Sequence, residues 1–406
     1  MAGHLQLSTS GVQDVFFTEN PQYTHFLEKV PKHTHFSREF STTTTTTTPG
    51  GTVKFTIPQN IGDLLANISL KIKLPTLNTD VKYIESVGHA LVDHVNLIIG
   101  GKIIQRIPRD YLQIYSEHNV TQTKQRALKE LIGKYPERQV LHLRSNDYNI
   151  ITSNDYDELL VDIPFYFHNN PELYLPIYAL KRHEIEVEVK LSPASHFVIR
   201  VSDGTLASDN FPESLEVSML TEVIFLDDPS MTETRDYVIT QLQTEVFEVE
   251  QGVQSGKFFL GFENPVKELY FVIQRDDPGV HPFDYDNNLQ VSDNEYILYE
   301  NLDYLTLDLD NEQVITEDVG NVLFLKGVQG TIHHSKTQLL RRFYSYSFAM
   351  EPEKWYPTGH INFSFIKNQI LNMQLTPCPN YKRQIRVYAV SYNILRVEDG
   401  TARTLF

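Results

Sequence analysis

Residues 183–191 read HEIEVEVKL, and the alternation is strict. Ile185, Val187, Val189 and Leu191 fall on one side of an extended chain, with Glu184, Glu186, Glu188 and Lys190 on the other. A period of two gathers the apolar set onto one face only in a β-strand; a helix would scatter it around its circumference. The stretch therefore predicts a half-buried antiparallel strand. HVNLIIGGKIIQRI (94–107) places two β-branched runs around Gly100-Gly101. Both glycines accept positive φ, so this reads as a two-residue hairpin.

Further strand candidates are SLKIKL (69–74), EVSMLTEVIFL (216–226), KELYFVIQ (267–274), DYLTLDLD (303–310), HINFSFI (360–366) and RQIRVYAVSYNIL (383–395). Helical periodicity is scarce. In TKQRALKELIGK (123–134), Ala127, Leu128 and Leu131 share a face and Gly133 can close the end. RDYLQIYSEH (109–118) reads as a second short helix in the same connection.

The seven threonines Thr42–Thr48 run into Pro49-Gly50-Gly51. Ordering seven residues costs on the order of 10 kcal/mol of backbone entropy. The tract must therefore pair in a sheet or stay loose, and an edge strand or loop is expected. LDDPSMTETRDY (226–237) is turn-rich with strands on both sides, which suits a domain boundary. HVNLIIGGKII (94–104) and YLTLDLDNEQVI (304–315) share the plan of alternating strand, tight turn and strand, which hints at duplication. At 406 residues the chain fits two β domains, and antiparallel halves of this kind would be jelly rolls or related sandwiches.

Hydrophobic residues at 41% allow a real core, and no uninterrupted apolar stretch approaches the length that spans a membrane. The net charge of −17 argues against direct nucleic-acid wrapping, which needs a basic surface. The single cysteine, Cys378, cannot form an intrachain disulfide, which fits synthesis in the cytosol.

Candidate chemistry is thin. His25, His33 and His35 lie close together, but no cysteine or carboxylate completes a ligand spacing, and His333-His334 is no stronger. Asp276, Asp277, Asp284, Asp286, Asp308, Asp310, Glu312, Glu317 and Asp318 cluster in two runs. Paired carboxylates could serve a glycosidase, with Asp284 and Asp286 the pair to test, but no sugar-binding motif or calcium-loop pattern accompanies them and solvated loops are expected. No nucleophile elbow, phosphate loop or dinucleotide fingerprint is present, so no catalytic residue, metal or cofactor is expected. The basic-aromatic stretch LLRRFYSYSF (339–348) reads as core or interface rather than as a nucleic-acid contact.

The segment SGVQDVFFTENPQYTHFLEKVPKHTHF (10–36) sets Phe16, Phe17, Tyr23 and Phe26 in an arm before any regular fold. It resembles the start of the major capsid proteins of nucleocytoplasmic large DNA viruses. The matching residues are Gly11 and Asp14, then Thr18, Asn20, Pro21, Gln22, Thr24 and Phe26, then His33, Thr34 and Phe36. The likeness continues in order through 61–75, 83–104, 162–189, 347–364 and 386–402.

That resemblance implies an all-β double jelly roll of two consecutive eight-stranded rolls. The expected arrangement is an N-terminal arm at 1–36, a first roll at 37–226, a linker at 227–236 and a second roll at 237–406. It implies a homotrimer with pseudo-hexagonal outline that tiles an icosahedral shell, assembled in the host cytoplasm. The expected partners are the chain itself and minor capsid proteins under the shell, with an internal membrane nearby. The arm residues Phe16, Phe17, Asn20, Pro21, Tyr23, Phe26 and Phe36 are its expected contacts. A minor or spike capsid paralogue, or a carbohydrate-active jelly-roll protein, are the alternative readings.

Overall fold

The computed structural model describes residues 2–21, 32–75, 77, 81–134, 158–200, 214–228, 235–277, 281–292, 295–336 and 342–406. The chain divides into two compact units, Met1–Phe36 and Ser37–Phe406. In the first, helices α1 (Ala2–Ser8) and α2 (Val12–Thr18) are short. The carboxylate of Asp14 accepts from the Gly11 amide at 2.6 Å, satisfying one of the donors that a helix start leaves open.

The second unit carries two runs of eight jelly-roll strands, with two further two-stranded ribbons, Val81–Tyr83 with Val198–Arg200 and Asn287–Ser292 with Glu295–Tyr299. The first run is β1 (Phe36–Thr47), β2 (Thr52–Ile57), β3 (Leu64–Lys73), β4 (Val92–Ile99), β5 (Lys102–Pro108), β6 (Glu158–Asp162), β7 (Ile185–Leu191) and β8 (Leu215–Leu226). The second is β9 (Arg235–Val249), β10 (Ser255–Phe259), β11 (Pro265–Arg275), β12 (Leu302–Leu309), β13 (Glu312–Ile315), β14 (Phe343–Ser347), β15 (Gln369–Leu375) and β16 (Arg383–Glu398). The first run forms sheets in the order β1-β8-β3-β6 and β2-β7-β4-β5. Adding eight to every number gives the second: β9-β16-β11-β14 and β10-β15-β12-β13. The same jelly roll is therefore laid down twice. Short strands at Leu175–Pro176, Ile361–Asn362 and Thr401–Thr404 extend β3, β11 and β16.

Local sequence explains the pieces. Strand β7 buries Ile185, Val187, Val189 and Leu191 and leaves the residues between them half-buried, as its alternation requires. Between β4 and β5, Gly100 and Gly101 have φ of 58° and 78°, the left-handed pair of a tight hairpin. The corresponding turn between β12 and β13 uses Asp310 and Asn311 at 49° and 73°. The two stretches that echo each other in the sequence are thus the fourth and fifth strands of each roll. Thr42–Thr47 lie in β1, an edge strand bonded only to β8 and largely exposed along its length.

Helices enter mainly between the fifth and sixth strands of each roll. In the first roll these are α4 (Arg109–His118) and α5 (Gln125–Ile132), with α3 (Val87–Leu91) preceding β4. Gly133 closes α5 at φ 74°. The expected apolar face of α5 is corrected: Ala127 and Leu131 are exposed, and Gln125 and Ile132 are buried instead. Gln125 turns inward because its amide reaches the carbonyls of Ser116 and Val120, at 2.7 and 2.9 Å. In the second roll, residues 322–333 form one helix whose centre, Phe324–Val328, is π-helical and whose end is α6 (Gln329–His333). Of the expected linker 227–236, residues 229–234 lie outside the described residues. Arg235 and Asp236 already pair with Val397 and Arg396 in β9.

Two apolar clusters hold the unit together. One lies inside the second roll and includes Leu269, Phe271, Ile273, Leu305, Leu307, Leu371, Ile385 and Val387. The other fills the first roll and continues without a break into Tyr237, Ile239, Tyr270, Val272, Phe343, Tyr388 and Val390 of the second. The two rolls therefore share a buried seam.

Candidate assembly surfaces and the seam between the rolls

Helix α4 belongs to the first roll but closes the seam with the second. Asp110, in its first turn, is buried and accepts from the Tyr285 hydroxyl at 3.1 Å, the Tyr388 hydroxyl at 2.7 Å and Arg386 Nε at 2.6 Å. Burial alone would raise its pKa; Arg386, Arg109 and the two phenols outweigh burial and hold it below the ordinary carboxylate range. Arg386 also donates to Gln384 and Gln274, at 2.7 and 2.8 Å. The ring of the next residue, Tyr111, meets Tyr270 edge-on at 6.2 Å. At the far end of the helix, Glu117 accepts from Lys134 and from Lys336 of the second roll, the latter at 2.8 Å. Burial raises its pKa, but the two ammonium groups reverse this and lower it to about 2. His118 packs on Phe343, with ring centroids 4.9 Å apart.

The arm exposes what the seam hides. Phe16 and Phe17 are 85% and 81% exposed and contact each other edge-to-face at 5.5 Å. Asn20 has φ 52°, Pro21 is exposed, and Tyr23 and Phe26 lie outside the described residues. Phe36 is exposed at the start of β1, its ring 5.7 Å from His33. Leu5, Leu7, Val12 and Val15 of the same unit are exposed as well. A reading that looked for aromatic rings passed over these aliphatic residues, although their short-range clustering was present in the sequence.

A second exposed apolar strip lies on the helix at 322–333. Leu323, Val328 and Ile332 are all exposed, as is Met350, whose carbonyl contacts His333 Nδ1 at 3.0 Å. The wider π-helical turn brings Leu323 and Val328, five residues apart, toward the same side as Ile332.

The residues considered for chemistry turn out to hold the fold. Asp284 accepts from Arg275 at 2.8 Å and Asp286 pairs with Arg342, so this loop is clamped rather than simply solvated as expected. Arg342 also lies 3.3 Å from Glu300, while Phe343 and Tyr344 after it are buried in the two clusters. Asp310 accepts from the amides of Lys367 and Asn368, at 3.1 and 2.9 Å. No metal-binding group of three or more His, Cys, Asp or Glu occurs among the described residues. His33 Nδ1 is engaged with the Thr34 carbonyl at 2.7 Å, His25 lies outside the described residues, and Cys378 is buried. The His334 side chain is 1% exposed and is locked at 2.6 Å to Glu268.

Comparison with known proteins accords with this architecture. Residues 24–227 match the family described as major capsid protein N-terminus, and residues 230–403 match large eukaryotic DNA virus major capsid protein. The chain belongs to the major capsid protein family of large eukaryotic DNA viruses. This capsid chain is 28% identical to the major capsid protein of Pyramimonas orientalis virus, across 98% of its own length and 97% of that relative. It is 26% identical to the major capsid protein of Phaeocystis pouchetii virus, across 98% of both. Its fold is similar to the PBCV-1 virus capsid, with a TM-score of 0.77 at 20% identity, covering 94% of this chain and all of that one. The Faustovirus major capsid protein gives 0.71 at 11% identity, covering 98% and 96%. The protein is a double jelly-roll component of a virion shell.

Proposed function

We propose that three copies of the chain close into one capsomer, that capsomers tile the shell, and that the role is structural with no catalytic step. The carrying observation is the strand plan repeated with an offset of eight. Two like rolls per chain and three chains give a ring of six similar edges, which packs into a flat lattice. The first roll's β1 and the strip at Leu323, Val328 and Ile332 supply exposed surface for contacts between copies. Assembly proceeds in the host cytoplasm, in keeping with a lone, buried thiol.

The arm's Phe16, Phe17, Asn20, Pro21, Tyr23, Phe26 and Phe36 dock on a neighbouring subunit or on minor capsid proteins beneath the shell. Exposed aromatic rings of this kind become the anchors of an interface once they are buried. Light scattering on the size-separated protein should give about three times the 46.9 kDa chain mass. A stable monomer would overturn the reading. Phe16→Ala with Phe17→Ala should leave that species folded and reduce its assembly into larger lattices; unchanged lattice assembly would remove the arm from the contact. With −17 per chain, raising salt should strengthen trimer–trimer association far more than it affects the trimer.

A further inference from the structure

The seam contains a pair of histidines packed among its aromatic rings. His118 ends α4 of the first roll, and His334 follows α6 of the second. Their rings lie 4.1 Å apart, tilted by 35°. Both are buried, against Phe343 at 4.9 Å and Tyr270 at 5.8 Å from His118.

Their surroundings differ. His334 Nε2 is 2.6 Å from a carboxylate oxygen of Glu268 on β11, and Nδ1 is 3.6 Å from Glu353. His118 Nδ1 is buried without a hydrogen-bond partner. The nearest carboxylate on its own helix, Glu117, is occupied by Lys134, Lys336 and the amide of Gln113. Lys267, the neighbour of Glu268, is turned to the Pro352 carbonyl at 2.7 Å and adds a further positive charge to this end of the seam. Among the described residues, the two chain segments are joined at this point by the backbone bond from Lys336 N to His118 O at 3.1 Å.

We propose that His118 and His334 form an acid-sensitive latch between the two jelly rolls. With one proton on the pair, His334 is the cation and Glu268 its counterion, while neutral His118 stacks on it. A second proton must go to His118, and it sets two imidazolium rings in contact with no unoccupied carboxylate facing His118 from α4, β11 or the 334–336 segment. The state populated in acid is then one in which the end of α4 and residues 334–336 separate. The electrostatics run the same way: burial and the charge of His334 push His118 well below its ordinary value. Burial also pulls His334 down, but Glu268 and Glu353 outweigh it and raise its pKa to about 9. Asp110 and its partners lie two turns away, about 12 Å along the helix, so opening is confined to one end of the seam.

Hydrogen exchange of the assembled full-length protein at pH 7.5 and pH 5.0, corrected for intrinsic rates, tests this. Peptides covering 111–121 and 343–350 should lose about tenfold or more in protection at pH 5.0, because opening lets His118 take up a proton while the His334–Glu268 pair, both on the second roll, stays made. His118→Phe keeps a stacking ring that cannot titrate and should stay protected at both pH values. His118→Gln serves as the second non-titrating variant if the phenyl ring disturbs packing. His89, also buried and lowered to about 4, contacts Gln113 and is the internal control: His89→Phe should still open in acid. Equal protection of the unsubstituted protein at both pH values overturns the latch. So does acid opening in the two His118 variants.

Discussion

The sheet β1-β8-β3-β6 and its counterpart β9-β16-β11-β14 have one topology and two kinds of surface. In the first roll, β3 points Leu65, Ile68, Leu70 and Ile72 into the core and sets Asn67, Ser69 and Lys71 outside. Those outward residues meet polar partners across the sheet: Asn67 with Glu222 at 2.6 Å, Ser69 with Asp162 at 2.5 Å, Lys71 with Glu158 at 2.8 Å. In the second roll, β11 buries Leu269, Phe271 and Ile273 inward and Tyr270 and Val272 outward, because the first roll covers that outer face. A strand covered on one side alternates; one covered on both sides reads as a continuous apolar run. The difference between NISLKIKL and KELYFVIQ is thus the written record of which roll lies against which.

The comparison can be broken first at Asp110. Asp110→Ala strands Arg386, Tyr285 and Tyr388 in the seam without their acceptor. Removing one partner of a buried ionic group costs about 3–5 kcal/mol. Lys71→Ala, on the exposed pair of the equivalent sheet in the first roll, should cost less than about 1 kcal/mol. Denaturant midpoints of the two variants measure the contrast, and similar losses would mean that the two sheets are not energetically distinct.

Rising pH sharpens the comparison. His334 has a folded pKa raised to about 9, above its unfolded value of 6.5. Its contribution is complete below pH 6.5 and is lost as pH rises toward 9. Lys267, lowered to about 8 chiefly by burial, works in the opposite direction between 8 and 10.5. Lys267 is silent between pH 6.5 and 8, and the His334 part of the loss there should be roughly 2 kcal/mol. Set against it are smaller gains from the lowered His118 and His89, whose unfolded forms finish titrating just above 6.5. Glu268→Gln removes the nearer counterion and should flatten this dependence in unfolding titrations. In the first-roll sheet Glu222 pairs with Arg38 instead, and its pull on His168 leaves that ring lowered overall, so a Glu222→Gln variant should keep the slope.

Much of this was legible in the sequence, and the limits have physical causes. Alternation and the Gly100-Gly101 turn identified the strands and one hairpin because period and turn chemistry are local. Helix α5 was legible as a helix, but its buried side was not: Gln125 is drawn inward by carbonyls at Ser116 and Val120, which no apolar count detects. Asp110 and Arg386 are 276 residues apart, and nothing in either neighbourhood announces the other. The burial of His334 was not legible because its two carboxylate partners, Glu268 and Glu353, come from distant segments.

The paired hairpins give the finest form of the comparison. Gly100 at φ 58° would place a Cβ 2.6 Å from the His183 ring, and His183 accepts the Ala402 amide of the second roll at 3.1 Å. Gly100→Ala thus adds a contact to backbone strain, and about 1–2 kcal/mol should be lost. Nothing lies within 4 Å of a Cβ at Gly101, φ 78°, so Gly101→Ala should lose only the strain, about 1 kcal/mol. In the second roll the same turn is made by Asp310 and Asn311. Asn tolerates the left-handed region, and a glycine there relieves its remaining strain while adding freedom to the unfolded chain. The two effects oppose each other, so Asn311→Gly should change the unfolding midpoint by no more than about 0.5 kcal/mol in either direction. A loss as large as that of Gly100→Ala would show that Asn311 contributes a contact of its own, and that the two turns share a shape without sharing its cause.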